Sequence, residues 1–195
     1  MDFLVKKLVL GELSSNCWLV ANQKKECLII DPGDVGIEEV VESEGWKPII
    51  VAATHGHFDH VLGALDLKLM YGIPFACSSQ DEFLLKRQGQ TAKYFLGKEI
   101  KTPNFSKIDI DLDKEKEIFG LKVIKTPGHT PGSVCFYSKE DNLLFSGDTL
   151  FADGAGRTDF SYGDNTKLQE SLKKLAKLPP KTLILPGHGD KKALG

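Results

Sequence analysis

The sequence is poor in arginine and cysteine, and it lacks both a large net charge and any long apolar run. Arg87 and Arg157 are the two arginines among 25 basic residues, and a net charge of −2 gives no electrostatic reason to expect a nucleic-acid partner. No apolar run approaches the roughly 18 residues that span a membrane, and the N-terminal segment lacks the apolar core of a signal peptide. We therefore expect a cytoplasmic protein that binds neither nucleic acid nor membrane.

The four cysteines are Cys17, Cys27, Cys77 and Cys135. No two of them have the short spacing of a zinc clip, and each lies in an apolar, strand-like run. Buried, reduced thiols are therefore the prediction, and they agree with a reducing compartment.

The composition is that of a folded protein with a substantial core. The chain has 195 residues, of which 41% are hydrophobic and 27% charged, so it is neither disordered nor too short to bury a core. Domains usually contain about 100–200 residues, and the sequence shows no internal repeat or linker-like stretch. The prediction is one domain spanning residues 1–195.

Short apolar runs predict strands in both halves of the chain, at 3–10, 17–21, 27–30, 49–53, 74–77, 117–119, 121–125, 134–137, 143–146 and 182–185. Helical spacing predicts helices at 35–45, 61–71, 80–87 and 165–178. Residues 89–107 show no clear pattern, and we expect a mobile surface segment there. This order fits two strand-rich halves, each covered by helices, better than one doubly wound parallel sheet.

Four potential metal ligands fall within six residues, directly after the strand predicted at 49–53. They are His55, His57, Asp59 and His60, in an H-x-H-x-D-H pattern. In a loop between a strand and a helix, all four side chains can converge. Imidazole and carboxylate together suit zinc, iron or manganese rather than calcium. The pattern therefore predicts a metal site.

Three further candidate ligands follow predicted strands later in the chain. His129 lies in a turn rich in proline and glycine, which holds a side chain at a fixed angle. Asp148 follows the strand at 143–146, and His188 follows the strand at 182–185. Each alone has an ordinary alternative, such as a turn histidine or a helix-capping aspartate. Together the seven ligands exceed what one tetrahedral ion uses and match two ions that share a carboxylate.

At these residues the sequence resembles the metallo-β-lactamase superfamily and, within it, the compact glyoxalase II-like hydrolases. The resemblance runs from Asn16 to His188, with H-x-H-x-D-H followed by His, Asp and His in the family's order. It implies a four-layer αββα sandwich of the α/β class, in which helices flank two mixed β-sheets and the metals lie at one edge. Asp31, which closes the third predicted strand, resembles the family's first motif, a carboxylate that supports the ligands.

The resemblance also implies a role for each ligand. It assigns His55, His57 and His129 to a first metal ion, and Asp59, His60 and His188 to a second. Asp148 would bridge the two ions opposite a shared hydroxide, which Asp59 would orient as the catalytic carboxylate. Zinc is the favoured ion, with iron and manganese as alternatives. The implied activity is hydrolysis of a small thioester such as S-lactoylglutathione, because a thiolate leaves with little help from a general acid.

The stretch 147–160 leaves a second activity open. It contains Gly-Arg-Thr-Asp-Phe, a run shared with persulfide dioxygenases, which are oxidoreductases that use one iron. The resemblance implies that Arg157 contacts the substrate, whereas an ion pair with Asp159 is the structural alternative. In glyoxalase II an aromatic residue stands at the position of Asp159, so the thiol carrier stays undetermined. Other hydrolytic reactions and a non-catalytic metal module are further alternatives.

Glyoxalase II also carries a C-terminal helical domain that helps to bind glutathione. This sequence continues for only seven residues after His188. We therefore expect a substrate pocket that is either more open or completed by a partner subunit in a homo-oligomer.

Overall fold

The computed structural model describes residues 2–102 and 107–195, and within these ranges it contains two six-stranded β-sheets. The first has the order β1 (Leu4–Leu10), β2 (Ser15–Ala21), β3 (Glu26–Ile30), β4 (Lys47–Ala52), β5 (Phe75–Cys77) and β6 (Ile110–Asp111). The second has the order β12 (Lys192–Ala193), β11 (Leu183–Pro186), β10 (Leu143–Gly147), β9 (Val134–Ser138), β8 (Leu121–Lys125) and β7 (Glu117–Ile118). Both sheets are mixed, since β3 to β6 run parallel in the first and β10 and β11 in the second.

The described ranges also contain five helices: α1 (Ile37–Glu44), α2 (Ala64–Tyr71), α3 (Glu82–Leu85), α4 (Gln88–Leu96) and α5 (Asn165–Leu175). Helices α1 and α2 form the crossovers that the parallel pairs β3–β4 and β4–β5 require. Two single 3-10 turns, Phe58–His60 and Ser79–Asp81, precede α2 and α3.

Strand β2 shows how the layers form, because its two faces pack against different partners. Cys17 and Leu19 join a core with residues of α1 and α2, whereas Trp18 and Val20 join a second core with Phe136 and its neighbours in the other sheet. A strand that is buried on both faces reads as an uninterrupted apolar run. The layers are therefore helix, sheet, sheet and helix, and the predicted αββα sandwich is confirmed.

Helix α5 covers the outer face of the second sheet. Its Leu175 packs with Cys135 and Leu144, which point away from the sheet interface. The helix begins where the Asp164 carboxylate accepts a hydrogen bond from the Lys167 backbone N–H at 3.0 Å. It ends at Leu175, three residues before the predicted end.

Two sequence expectations between β5 and β6 need correction. Residues 88–96 form helix α4, which is followed by Gly97 with φ 67°, so the first eight residues of the unassigned segment 89–107 are helical. Positions 103–106 of that segment lie outside the described residues. The helix predicted at 80–87 is instead a 3-10 turn followed by the one-turn helix α3, because the Ser78 side chain accepts a hydrogen bond from the Gln80 N–H and starts a tighter turn. Strands β6 and β12 were not predicted, since each has only two residues.

All four cysteines are free and buried, as the sequence indicated. Cys17, Cys27 and Cys77 belong to the core between the first sheet and its helices, and Cys135 to the core under α5. Among the described residues, we find no helix with both the length and the apolar character needed to cross a membrane.

Candidate metal centre

The seven candidate ligands lie in loops at one edge of the sandwich. These loops follow β4 in the first sheet and β8, β10 and β11 in the second, and the last three strands run in the same direction. A backbone hydrogen bond from the Val134 N–H to the Thr54 carbonyl, at 2.8 Å, joins the two sheets at this edge. The carboxyl ends of strands from both sheets therefore deliver their side chains to one place.

Three histidine nitrogens converge in the first group of ligands. His57 Nδ1 lies 3.0 Å from His55 Nε2 and also 3.0 Å from His129 Nε2. A ring nitrogen carries either one lone pair or one hydrogen, so it cannot form two such hydrogen bonds. Three lone pairs directed at one cation account for the contacts, because ligands about 2.0–2.1 Å from a tetrahedral ion lie roughly 3.4 Å apart. We call His55, His57 and His129 the first trio.

Two histidines and a carboxylate converge in the second group. His188 Nε2 lies 3.3 Å from His60 Nε2 and 3.3 Å from Asp59 Oδ2. His60 Nε2 is 3.6 Å from the same carboxylate oxygen. These separations again match ligands around one ion, and we call Asp59, His60 and His188 the second trio.

The carboxylate of Asp148 lies between the two trios. Its Oδ1 is 3.5 Å from His60 Nε2, and its Oδ2 is 3.6 Å from His129 Nε2 and 3.7 Å from His188 Nε2. Oδ1 is buried and has no hydrogen-bond partner among the described residues. A buried carboxylate oxygen without a partner costs free energy, and a cation would supply that partner. The residues present therefore fit two divalent ions that share Asp148.

Asp31 lies behind both trios and supports them. Its carboxylate accepts hydrogen bonds from the Thr54 N–H at 2.6 Å, the Thr54 hydroxyl at 2.7 Å and His60 Nδ1 at 3.1 Å. The Thr54 hydroxyl in turn lies 3.1 Å from His55 Nδ1. A third possible ligand group also exists, because one nitrogen or oxygen atom from each of Asp31, His55 and His60 lies within 4.8 Å of the other two. Because both oxygens of Asp31 already accept hydrogen bonds, the arrangement fits the supporting role that the sequence resemblance implied.

Tyr162, which the sequence analysis missed, contacts the first trio from outside. Its hydroxyl lies 2.8 Å from His57 Nε2, and the Arg157 carbonyl accepts a hydrogen bond from His129 Nδ1 at 2.8 Å. Burial raises the pKa of Tyr162 to about 12, so the phenol stays protonated. No motif marks this tyrosine, because the contact joins positions 105 residues apart.

Asp81, also missed, joins the loops that carry the first trio. Its buried carboxylate accepts hydrogen bonds from the Gly56 N–H at 2.8 Å, the Gly132 N–H at 2.7 Å and the Thr130 hydroxyl at 2.7 Å. Gly56 lies between His55 and His57, and the other two donors follow His129. Asp81 therefore fixes the distance between the H-x-H-x-D-H loop and the His129 loop.

The two trios differ in their electrostatics. Burial, followed by the neighbouring imidazoles, lowers the pKa of His57 to about 3 and lowers that of His55 as well. Burial also opposes the charge of His60, but the nearby carboxylates, with Asp59 foremost, outweigh it and raise the pKa of His60 to about 10. His55 and His57 therefore present neutral lone pairs, whereas His60 holds a proton that a metal ion must displace.

A cavity of about 310 Å³ opens over the two trios. Its rim is formed by Leu13, Phe58, Thr91, Phe95, Arg157 and Phe160. The Arg157 guanidinium donates two hydrogen bonds to Asp159, from Nε to Oδ1 at 2.6 Å and from Nη2 to Oδ2 at 2.5 Å. It also lies 4.6 Å from the centroid of the Phe160 ring. Arg157 thus forms the ion pair that the sequence left as an alternative, and it still borders the cavity.

Comparisons with known proteins agree with this geometry. A family model described as the metallo-beta-lactamase superfamily matches residues 10–188. The hydroxyacylglutathione hydrolase GloC of Haemophilus influenzae is 34% identical, over 92% of this chain and 88% of GloC. The crystal structure of the BLEG-1 B3 metallo-beta-lactamase has a TM-score of 0.90 at 32% identity, covering 98% of this chain and 95% of that one. TTHA1623 in a di-iron-bound form has a TM-score of 0.89 at 34% identity, covering 97% and 95%.

The family match, the two-sheet sandwich and the cluster of histidines and aspartates point to the same conclusion. The resemblance that the sequence motifs indicated is therefore confirmed. This chain belongs to the metallo-β-lactamase superfamily of metal-dependent hydrolases.

Proposed function

We propose that this protein is a dinuclear metal-dependent thioesterase that hydrolyses small S-acylglutathione-type thioesters such as S-lactoylglutathione. The observation that carries the proposal is the position of Asp148 between two convergent ligand trios. The 34% identity to the hydroxyacylglutathione hydrolase GloC supports the substrate class.

The proposed cofactors are two divalent ions. The first trio would hold one, the second trio the other, and Asp148 would contact both. When bound, such a pair lowers the pKa of a water molecule and polarises a carbonyl oxygen. Zinc suits these ligands, and so do iron and manganese; the di-iron-bound form of TTHA1623 supports a pair of ions.

Asp59 is proposed as the catalytic carboxylate. Burial alone would raise its pKa, but the imidazoles of His60 and His188 outweigh burial and hold the pKa below its ordinary value. Asp59 therefore stays ionised at neutral pH and can accept a hydrogen bond from the attacking water. The aromatic side chains of Phe58, Phe95 and Phe160 on the cavity rim offer an apolar surface to the acyl group.

Arg157 is proposed to contact the thiol carrier, because it borders the cavity beside Phe160. Its guanidinium is already paired with Asp159, and both side chains are more than half exposed. Exposed ion pairs contribute little free energy, so the pair leaves Arg157 able to exchange partners. These contacts therefore constrain the identity of the thiol carrier less than any other part of the proposed substrate.

The proposal is tested by thiol release from S-lactoylglutathione by the metal-loaded enzyme and by its Asp59→Asn variant. We expect elemental analysis to find about two metal ions per wild-type chain, and the variant to lose on the order of 100-fold in kcat because it lacks the ionised carboxylate that orients the attacking water. Asp190→Asn is the matched control, since the Asp190 side chain is 98% exposed and lies outside the two trios. Equal activity of wild type and Asp59→Asn, with metal retained, contradicts the proposed mechanism.

The same preparation separates the alternatives. The Gly-Arg-Thr-Asp-Phe run at 156–160 favours a persulfide dioxygenase as the second candidate. That candidate predicts one iron per chain and oxygen uptake with glutathione persulfide, whereas the thioesterase predicts neither. A chromogenic cephalosporin tests β-lactam hydrolysis, the activity that the name of BLEG-1 indicates for that protein.

A further inference from the structure

The segment 157–162 contacts two of the three histidines of the first trio. The Arg157 carbonyl accepts a hydrogen bond from His129 Nδ1. The Phe160 ring lies with its centroid 5.4 Å from the ring centroid of His57 and 6.0 Å from that of His129. The Tyr162 hydroxyl, 2.8 Å from His57 Nε2, completes the set. One short segment therefore supports the first trio from the side opposite its convergent nitrogens.

The contact with Tyr162 decides which nitrogen of His57 carries the hydrogen. His57 Nδ1 faces the two other ring nitrogens of the trio, so a metal ion needs its lone pair there. In a neutral imidazole the hydrogen is then on Nε2. The Nε2–H donates to the Tyr162 hydroxyl oxygen, which fixes both the tautomer and the orientation of the ring.

Aromatic packing holds Tyr162 in place without help from its hydroxyl. Its ring stacks on Phe160 with centroids 5.4 Å apart and an interplanar angle of 23°. On its other side it meets the Phe83 ring of α3 edge-on at 5.3 Å. Pairs of this kind favour a defined ring position. Loss of the hydroxyl alone would therefore remove one hydrogen bond and leave the ring where it is.

The other two histidines of the first trio have outer partners of a different kind. His129 Nδ1 donates to a backbone carbonyl, and His55 Nδ1 lies next to the hydroxyl of Thr54, its neighbour in the chain. Among the described residues, His57 is the member of the trio whose outer ring nitrogen hydrogen-bonds to a side chain far away in the sequence. We propose that Tyr162 is a positioning residue that holds His57 in the tautomer and orientation needed to bind the first metal ion. This inference rests on the two-ion site of the proposed function and is independent of the thioester substrate.

The test compares Tyr162→Phe with the wild type in the full chain, after removal of metal by a chelator. Each protein is titrated with Co²⁺, whose visible absorption bands report ligand geometry, and Zn²⁺ affinity is measured by competition with a chromogenic chelator. Mutation of an outer partner typically costs 10–100-fold in metal affinity. We expect Tyr162→Phe to bind the first equivalent of metal about tenfold more weakly than the wild type does, with altered Co²⁺ absorption bands. The second equivalent of metal should bind with unchanged affinity.

Two further variants distinguish hydrogen bonding from packing. Tyr94→Phe is the matched control, because the Tyr94 side chain is 82% exposed, and we expect wild-type affinity and spectrum. Phe83→Leu loosens the packing of the Tyr162 ring but keeps its hydroxyl. Because Phe83→Leu keeps that hydroxyl, we expect it to bind the first metal equivalent more tightly than Tyr162→Phe does. The inference is overturned if Tyr162→Phe matches the wild type in first-equivalent affinity and Co²⁺ spectrum, or if Phe83→Leu weakens first-equivalent binding as much as Tyr162→Phe does. A wild type that binds no metal would instead overturn the two-ion site, and normal metal binding without thiol release would contradict only the substrate class.

Discussion

The bridging position of Asp148 depends on the absence of a side chain at position 187. A Cβ atom on Gly187 would lie 2.2 Å from Asp148 Oδ1 and 2.8 Å from His60 Cε1. Real Cβ atoms do not approach other atoms so closely, so either the carboxylate or the strand end would have to move. Gly187, in the Pro-Gly-His-Gly run at 186–189, is therefore required by the geometry of the metal centre.

We expect Gly187→Ala to lose the shared carboxylate and with it at least one of two metal ions. Elemental analysis would show about one ion per chain or fewer, and the rate of thiol release would fall at least 100-fold because both ions contribute to the reaction. Gly154→Ala is the control, since a Cβ there meets no atom within 4 Å and its φ lies outside the left-handed region. Two ions per chain in Gly187→Ala would contradict the geometry described for Asp148.

The opposite pKa shifts of His57 and His60 separate the two trios at neutral pH. In the metal-free protein, His57 has a pKa of about 3 and is neutral, whereas His60 has a pKa of about 10 and is protonated. A metal ion needs the lone pair of each. The ion that His60 would ligate therefore competes with a proton, whereas an ion on His57 does not compete with one there.

We expect the second ion, but not the first, to release about one proton from His60 on binding at pH 7. Because the pKa of His60 is raised, second-ion affinity should increase with pH, up to about tenfold per unit, until the pH approaches 10. The first ion should displace no proton from His55 or His57 at pH 7, because the pKa values of both are lowered. Calorimetric titration of metal-free protein in two buffers with different ionisation enthalpies measures the protons released. Release of a full proton with the first ion would contradict this assignment.

At the scale of elements, the site depends on loops that are joined across the sandwich. Asp81 holds the loop after β4 to the loop after β8 with three hydrogen bonds, and Asp31 holds the loop after β4 to the end of β3. Helix α4 supplies Thr91 and Phe95 to the cavity rim. Loops that carry ligands are thus fixed by buried carboxylates rather than by their own secondary structure.

We expect Asp81→Asn to destabilise the protein by about 1–3 kcal/mol. The asparagine amide would place an N–H₂ donor against a backbone N–H or hydroxyl donor, which leaves a buried polar group unsatisfied. Urea denaturation of the metal-free protein measures the free energy of unfolding without a contribution from bound metal. Asp66→Asn serves as the control, because Asp66 is exposed and its substitution should change stability by less than about 0.5 kcal/mol. Equal stability of the two variants would refute the role of Asp81.

At the scale of the whole molecule, the metal centre and the apolar cores occupy different places in the sandwich. The cores lie between the sheets and between each sheet and its helices. The ligands lie at the edge, where loops from both sheets meet. The fold therefore does not need the metal for its main source of stability, which is burial of apolar surface.

We expect removal of both ions to leave the fold intact but less stable. The far-UV circular dichroism spectrum should be unchanged, whereas Tm should fall and should recover when Zn²⁺ is added. An ion at 100 times its Kd stabilises the folded state by about 2.7 kcal/mol, which is enough to see in a thermal melt. Loss of secondary structure after chelation would show that folding depends on metal, as it does in zinc fingers.

The sequence by itself predicted the candidate ligands and the strand ends that carry them, and its family resemblance implied the order of the layers. Runs such as 27–30 and 49–53 are apolar because both faces of β3 and β4 are buried, so their positions could be read locally. The H-x-H-x-D-H pattern is equally local, with four ligands in six residues. Patterns of this kind need no knowledge of distant contacts, which is why the superfamily could be predicted.

Only the tertiary structure decided which atoms meet. It alone shows that His57 presents Nδ1 while His129 presents Nε2, that the Tyr162 hydroxyl contacts His57, and that Asp81 joins the ligand loops. It also shows that Arg157 is paired with Asp159. The His57–His129, His57–Tyr162 and Gly56–Asp81 contacts join residues that are 72, 105 and 25 positions apart in the sequence. The first two contacts exist only once the two sheets are packed together. Local periodicity carries no signal for such contacts, because their energy comes from packing and hydrogen bonding across the sandwich.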